Sequence, residues 1–142
     1  MTTSSASAVW EGGLKGGKGT FQAGSGAFQG AYSFATRFEG AKGTTPEELI
    51  AAAHAACLSM ALSAGLEKAG TPASRISTKA SCTIELLETG PKITKMKLEV
   101  RGTVPGLDQA RFAKAAEEAK DGCPVSGALK GNVAFELDAK LG

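Results

Sequence analysis

The sequence predicts a single α+β domain that covers residues 1–142. Three observations carry this prediction: a long apolar run of helical length lies near the middle of the chain, runs of alternating apolar and polar residues lie on both sides of it, and glycine-rich breaks separate these runs. A chain of 142 residues can bury about two-thirds of its unfolded surface without disulfides. No internal repeat or linker divides it.

The first forty residues predict an antiparallel meander of three strands. Short apolar runs at 8–11 and 20–22 are separated by glycine-rich turns, and a third run covers 32–38. In the third run aromatic residues alternate with smaller ones, so Arg37 is expected on the less apolar face of a strand.

A helix is predicted to start at Thr45-Pro46-Glu47-Glu48, which provides a capping hydroxyl, a proline at the first position and a glutamate at the third. The run up to about Lys68 is apolar or small on every side, so we expect it to be covered all round, partly by a second subunit. Its uncharged part, 49–66, has the length of a membrane span. Because that part is mostly alanine and contains His54, we interpret it as a buried helix and expect no membrane association.

The second half of the chain predicts a hairpin, two helices and a last strand. The hairpin strands alternate over 76–86 and 96–104 around a turn at 89–92, and each has one apolar face, as antiparallel strands packed on helices do. An amphipathic helix follows over 108–120, a short helix opens at Cys123-Pro124, and a strand covers 132–141.

Composition excludes several function classes. Sixteen Lys and Arg against fourteen Asp and Glu leave a net charge of +2, which argues against a nucleic-acid partner held by a basic surface. One His and three Cys are too few for a rich metal centre. The odd cysteine number and the absence of a visible secretory signal favour the cytoplasm.

The cysteines and the histidine are the residues most suited to chemistry. Cys57 lies in mid-helix, where a cysteine is commonly an inert apolar side chain. Cys123 is expected to cap a new helix, a position that favours the thiolate. Cys82 is expected to pack on the apolar face of its strand. His54 shares a helical face with Cys57, and three interpretations stay open: a Cys–His pair, a weak metal site with Cys123, or a core histidine.

Two stretches, 45–57 and 122–126, resemble the signature motifs of the OsmC/Ohr family, which comprises the osmotically inducible protein C and organic hydroperoxide resistance proteins. The runs at 10–12, 32–40 and 104–106 resemble the OsmC branch in particular. The resemblance extends over nearly the whole chain. It implies a thiol-dependent peroxidase that folds as an intertwined α+β homodimer, in which two antiparallel sheets wrap around central buried helices.

The resemblance also implies roles for four residues. Cys57 corresponds to the peroxidatic cysteine, which attacks the O–O bond and becomes a sulfenic acid, and Cys123 to the resolving cysteine, which forms a disulfide with it. Arg37 corresponds to the arginine that stabilises the thiolate and polarises the peroxide, and Glu47 to the glutamate that orients this arginine. The implied substrate is an organic hydroperoxide, with hydrogen peroxide second. An external dithiol is the reductant, and no metal, flavin or haem is needed.

Glu47 adds a geometric expectation of its own. It precedes Cys57 by ten residues, which is about 15 Å along one helix, so the two side chains cannot touch within that helix. If Glu47 serves the Cys57 site, it does so through Arg37 or from the partner subunit of a homodimer.

Two other functions stay open. A thiol–disulfide oxidoreductase could use Cys123 in its Cys-Pro-Val-Ser motif, although the parallel βαβ pattern of thioredoxin-type proteins is missing. A ligand-binding or structural dimer would leave the thiols inert.

Overall fold

The computed structural model describes all residues from 1 to 142, and its internal contacts group into two compact units. The first unit contains residues 1–48 and the second contains residues 49–142. A single domain over the whole chain therefore stays a prediction.

The first unit contains a three-stranded antiparallel sheet in the order β1-β2-β3, as the meander prediction required. Its strands are β1 (Ala6–Glu11), β2 (Lys18–Ala23) and β3 (Gln29–Tyr32). Gly19 permits the rings of Trp10 and Tyr32 to pack over the sheet, because a side chain at position 19 would overlap both rings.

The prediction of a strand over 32–38 is wrong beyond Tyr32. The chain turns instead into a short helix, α1 (Phe34–Phe38), which carries Arg37. Ser33 caps this helix in a capping box with Thr36, in which each side chain bonds to the other residue's backbone N–H. The rings of Phe34 and Phe38 pack one turn apart with centroids 5.1 Å apart. The capping bonds therefore stabilise a helix here, although the alternation of apolar residues favours a strand.

The long helix α2 (Pro46–Lys68) starts as predicted. The Thr45 hydroxyl accepts the backbone N–H of Glu48 at 3.0 Å, and the chain leaves the helix at Gly70, whose φ of 85° suits glycine. By length and composition alone α2 could cross a membrane.

Within the single chain, burial of α2 is confined to one face, so the expected covering of its other sides by a second subunit stays a prediction. The buried positions recur every four residues: His54, Leu58, Leu62 and Leu66. Met60, between them, is 78% exposed. The single chain therefore leaves much of an apolar helix uncovered.

The second unit contains a sheet in the order β4-β5-β6, with β4 (Arg75–Leu87), β5 (Gly90–Thr103) and β6 (Ala134–Leu141). Between β5 and β6 lie α3 (Gln109–Gly122) and α4 (Pro124–Leu129). The sheet is not fully antiparallel as predicted, because β6 runs parallel to β5. The connection through α3 and α4 explains this direction. It returns the chain to the end of the sheet at which β5 began, so β6 runs the same way as β5.

The core of the second unit lies between α2, α3 and the inner face of this sheet. The leucines of α2 pack with Phe112 and Ala116 of α3 and with the inward residues of β5, which are Met96, Leu98 and Val100. Cys82 on β4 packs against the same cluster, as its apolar position predicted. This core fixes α2 against the α3–α4 segment, and each of these two parts carries one of the cysteines implicated above.

Candidate active site

Cys57 projects from the middle of α2, directly before the fully buried Leu58, and is itself half-buried. Because Leu58 anchors the helix in the core, the neighbouring Cys57 is held at the margin of that core. It is therefore the more accessible of the two cysteines that the sequence singled out.

Cys123 occupies the junction between α3 and α4 and is only 1% exposed. Its backbone N–H bonds to the carbonyl of Ala119 at 2.9 Å, and its carbonyl accepts the N–H of Gly127 at 3.0 Å. It thus ends one helix and caps the next, with Pro124 at the first position of α4 as predicted.

The Sγ atoms of Cys57 and Cys123 lie 2.7 Å apart, although the two residues are separated by 66 positions in the chain. The spacing of the motifs left open whether these cysteines meet. A disulfide bond measures about 2.05 Å, so bond formation requires sulfur movements of well under an ångström. The geometry therefore permits direct interconversion of two thiols and a disulfide.

The surroundings of the two sulfurs differ. Burial raises the pKa of Cys57, as does its hydrogen bond with Cys123, and the N–H of Val125 offsets this only in part. Burial also acts to raise the pKa of Cys123, but the contact with the Cys57 side chain and the nearby polar groups of Ser126 and Val125 outweigh burial and lower it. The pKa values of the two thiols therefore shift in opposite directions, which makes Cys123, at the start of a helix, the more readily ionised of the two.

His54 is completely buried one turn before Cys57 and bonds to a residue next to the pair. Its Nε2 lies 2.7 Å from the hydroxyl oxygen of Ser126, and its ring packs edge-on against Phe135, with centroids 5.3 Å apart. Burial lowers the pKa of His54, which favours the neutral form of the ring. The sequence reasoning missed Ser126, although its place three residues after a helix cap was visible.

Arg37 and Glu47 form a salt bridge within the first unit. Arg37 Nε donates to Glu47 Oε1 at 3.0 Å and Nη2 donates to Oε2 at 2.9 Å, a two-point bond between planar groups. Glu47 is 5% exposed, and the guanidinium also lies 5.4 Å from the centre of the Phe38 ring. The structure thus pairs the two charged residues that the resemblance had singled out.

No group of three or more His, Cys, Asp or Glu side chains is arranged to hold a metal ion. His54, Cys57 and Cys123 therefore do not form the metal site that their spacing left open. The chemistry that this arrangement can perform is that of two thiols.

Comparisons with known proteins identify relatives of this chain. The chain is 48% identical to the peroxiredoxin OsmC of Escherichia coli over 134 residues. This alignment covers 94% of each of the two chains. It is 35% identical over 100 residues to an organic hydroperoxide resistance protein of Xanthomonas axonopodis, covering 69% of this chain and 68% of the relative.

Solved structures share the fold. The organic hydroperoxide resistance protein OhrB of Bacillus subtilis superposes with a TM-score of 0.75 at 26% identity, over 96% of this chain and 98% of that one. A Legionella pneumophila structure described as an organic hydroperoxide resistance protein OsmC reaches 0.80 at 23% identity, over 99% and 98% of the two chains. The family model of OsmC-like proteins matches residues 39–138. The chain therefore belongs to the OsmC-like protein family.

Proposed function

We propose that this protein is a thiol peroxidase that reduces organic hydroperoxides, and hydrogen peroxide more weakly, through Cys57 and Cys123. The observation that carries the proposal is the 2.7 Å separation of their sulfurs. The names of the relatives, peroxiredoxin OsmC and organic hydroperoxide resistance protein, support the same activity.

The reaction has three steps. The Cys57 thiolate attacks the distal peroxide oxygen, the O–O bond breaks, and an alkoxide leaves to take up a proton as the alcohol, while Cys57 becomes a sulfenic acid. The Cys123 thiolate then attacks the Cys57 sulfur and expels hydroxide, which is protonated to water. An external dithiol finally reduces the disulfide by exchange and is itself oxidised. The cycle needs no metal, flavin or haem.

The first step requires a thiolate at Cys57, and the pair alone does not provide it. Since burial raises the pKa of Cys57, a cation has to stabilise its charged form. We propose that Arg37 is this cation and that Glu47 fixes the orientation of its guanidinium. The two-point bond supports this assignment, because it leaves Arg37 Nη1 without an acceptor in the Glu47 carboxylate.

We further propose that the protein works as a homodimer in the cytoplasm, without nucleic acid or membrane partners. The uncovered faces of α2 support a second subunit, which would also resolve the distance between Glu47 and Cys57 on one helix. A reducing compartment suits an enzyme whose resting state carries free thiols. We infer one domain over 1–142, because α2 and the family match both cross the boundary between the units.

Thiol–disulfide exchange at Cys123 is a second candidate function, and one observation favours it: Cys123 lies at the N-terminal cap of α4, a position that lowers the pKa of a thiol. However, Cys123 is 1% exposed, so a protein disulfide cannot reach it without opening the fold. The peroxidase assignment agrees better with a buried sulfur whose attack is intramolecular.

The test is the consumption of cumene hydroperoxide, and of hydrogen peroxide for comparison, in the presence of dithiothreitol. Cys57→Ser should abolish turnover, and Cys123→Ser should form a sulfenic acid that a dimedone adduct reveals by mass. Cys82→Ser is the matched control and should retain the wild-type rate, since Cys82 packs against the core on β4.

Full activity of Cys57→Ser, or wild-type turnover no faster than dithiothreitol alone, would refute the peroxidase assignment. Reduction of a protein disulfide by Cys57→Ser at the wild-type rate would instead support exchange at Cys123. If neither reaction occurs, the thiols are inert and the protein has another role.

A further inference from the structure

His54 takes no part in the reaction steps, although it is the only histidine of the chain and is fully buried. Its Nε2 is hydrogen bonded to the Ser126 hydroxyl at 2.7 Å. Its other ring nitrogen, Nδ1, is buried without a hydrogen-bond partner in the chain. Because an unpaired buried nitrogen is unfavourable, an apolar side chain would suit this position better if its only role were packing. The retained bond to Ser126 therefore requires a different explanation.

This bond lies one helical turn from the cysteine pair, on both of the segments that carry the pair. His54 precedes Cys57 by three residues on α2. Ser126 follows Cys123 by three residues in the first turn of α4. Residues three apart lie on the same side of a helix, about 4.5 Å apart along its axis. The start of α4 therefore meets α2 at two neighbouring points, where nitrogen meets hydroxyl and sulfur meets sulfur.

The attachment of α4 to α2 depends on this bond, because little else of α4 is buried. Of its six residues only Ser126 is buried, and the hydroxyl of this residue bonds to His54. Leu129, at the far end of α4, packs against the core but is only partly buried. The backbone bonds of Cys123 lead to α3 and α4 and not to α2. In the reduced protein the His54–Ser126 bond is thus the main polar connection that holds this turn to α2.

We propose that His54 is a positioning residue, whose bond to Ser126 holds the start of α4 against α2. In this way it keeps the sulfur of Cys123 within bonding distance of that of Cys57. Two groups held in reactive geometry behave as if each were present at a high local concentration. The importance of this effect for turnover rests on the proposed function, in which Cys123 closes the disulfide.

The experiment measures the equilibrium between the two thiols and their disulfide in glutathione buffers, without any peroxide. One molecule of oxidised glutathione converts the two thiols into a disulfide and leaves as two molecules of reduced glutathione. The equilibrium constant is the effective concentration of one thiol at the other. A Cys82→Ser background leaves Cys57 and Cys123 as the only thiols. The oxidised fraction is determined by mass after alkylation of the remaining thiols.

Ser126→Ala should lower this effective concentration about tenfold, as expected for the loss of one buried hydrogen bond. His54→Leu should lower it by a similar factor, because it removes the same bond from the other side. His54→Gln should stay within about twofold of the reference, since its carboxamide can reach the place of Nε2 and can donate or accept. The double variant with His54→Leu and Ser126→Ala should be affected no more than either single one.

Leu66→Ala is the control that separates positioning from a general loss of stability. Leu66 is a buried core residue towards the end of α2, so its truncation should lower the urea midpoint of unfolding. Because it does not touch the connection to α4, the effective concentration of the thiols should stay within about twofold of the reference. If His54→Leu does not fold, Ser126→Ala tests the bond from its other end.

An effective concentration that Ser126→Ala leaves unchanged would overturn the proposal. A fall of the same size in His54→Gln or Leu66→Ala would also overturn it, as would a reference protein that forms no disulfide. A protein that forms the disulfide but does not consume cumene hydroperoxide would refute the proposed function alone. An active peroxidase whose effective concentration does not depend on His54 would refute this inference alone.

Discussion

Arg37 and Glu47 are joined by two nearly equal hydrogen bonds, of 3.0 and 2.9 Å, between a half-buried guanidinium and an almost fully buried carboxylate. Such a side-on pair fixes the plane of the guanidinium as well as its position. If Arg37 serves the Cys57 thiolate, the orientation of its remaining N–H groups depends on Glu47.

Arg37→Lys should therefore reduce cumene hydroperoxide turnover by about tenfold or more, because an ammonium group keeps the charge but not the two parallel bonds. Arg101→Lys is the matched control, since Arg101 bonds to Asp138 at 2.9 Å in the other unit and should change the rate less than twofold. Equal turnover rates for the two variants would show that the reaction does not require the Arg37 guanidinium.

The exposed side of α2 makes the oligomeric state testable. Light scattering at micromolar concentration should give about twice the 14.3 kDa chain mass. Met60→Glu should shift this mass to that of the monomer, because a buried unpaired carboxylate opposes association. Leu86→Glu, at another exposed apolar position on β4, is the control and should stay dimeric. A fully active monomeric wild type would contradict the dimer.

Acid should destabilise the fold through His54. Because burial lowers the pKa of His54, the unfolded chain binds more protons than the folded chain below about pH 6.5. The free energy of unfolding should thus fall as the pH falls from about 6.5 through the lowered pKa of the folded protein. Urea titrations at pH 7.5, 6.5 and 5.5 measure this, and the dependence should largely vanish in His54→Gln. If the free energy of unfolding of His54→Gln depends on pH as steeply as that of the wild type, other groups cause the acid sensitivity.

Oxidation should make the protein harder to unfold. A bond between Cys57 and Cys123 closes a loop of 66 positions, and restriction of the unfolded chain by a loop of this size contributes up to about 4 kcal/mol. Urea unfolding after one equivalent of cumene hydroperoxide should show a higher midpoint than unfolding of the reduced protein, with no difference in Cys123→Ser. A lower midpoint for the oxidised form would indicate strain in the bond.

The features that short-range signals determine were predictable from the sequence. Thr45 and Pro46 mark the start of α2, and Pro124 marks the start of α4, because capping depends on residues within one turn. Local signals also compete, however. Over 32–38 the alternating pattern favoured a strand, but the bonds between Ser33 and Thr36 formed a helix instead.

The arrangement of the site depends on contacts between distant parts of the chain. The sequence placed Cys57 and Cys123 in suitable local settings, but their 2.7 Å contact requires α2 to pack against the α3–α4 segment. The bond between His54 and Ser126 spans 72 positions and arises from the same packing. The parallel direction of β6 likewise follows from a crossover path that alternation within a strand does not reveal.

The attachment of Cys123 to two helices at once has a consequence for the proposed disulfide. Its N–H is held by the last turn of α3 and its carbonyl by the first turn of α4, so we expect the sulfur atoms to move on oxidation while both helices stay in place. The oxidised and reduced proteins should then present the same outer surface in this region. A molecule that distinguishes the two forms should therefore do so at Cys57, because Cys123 is buried.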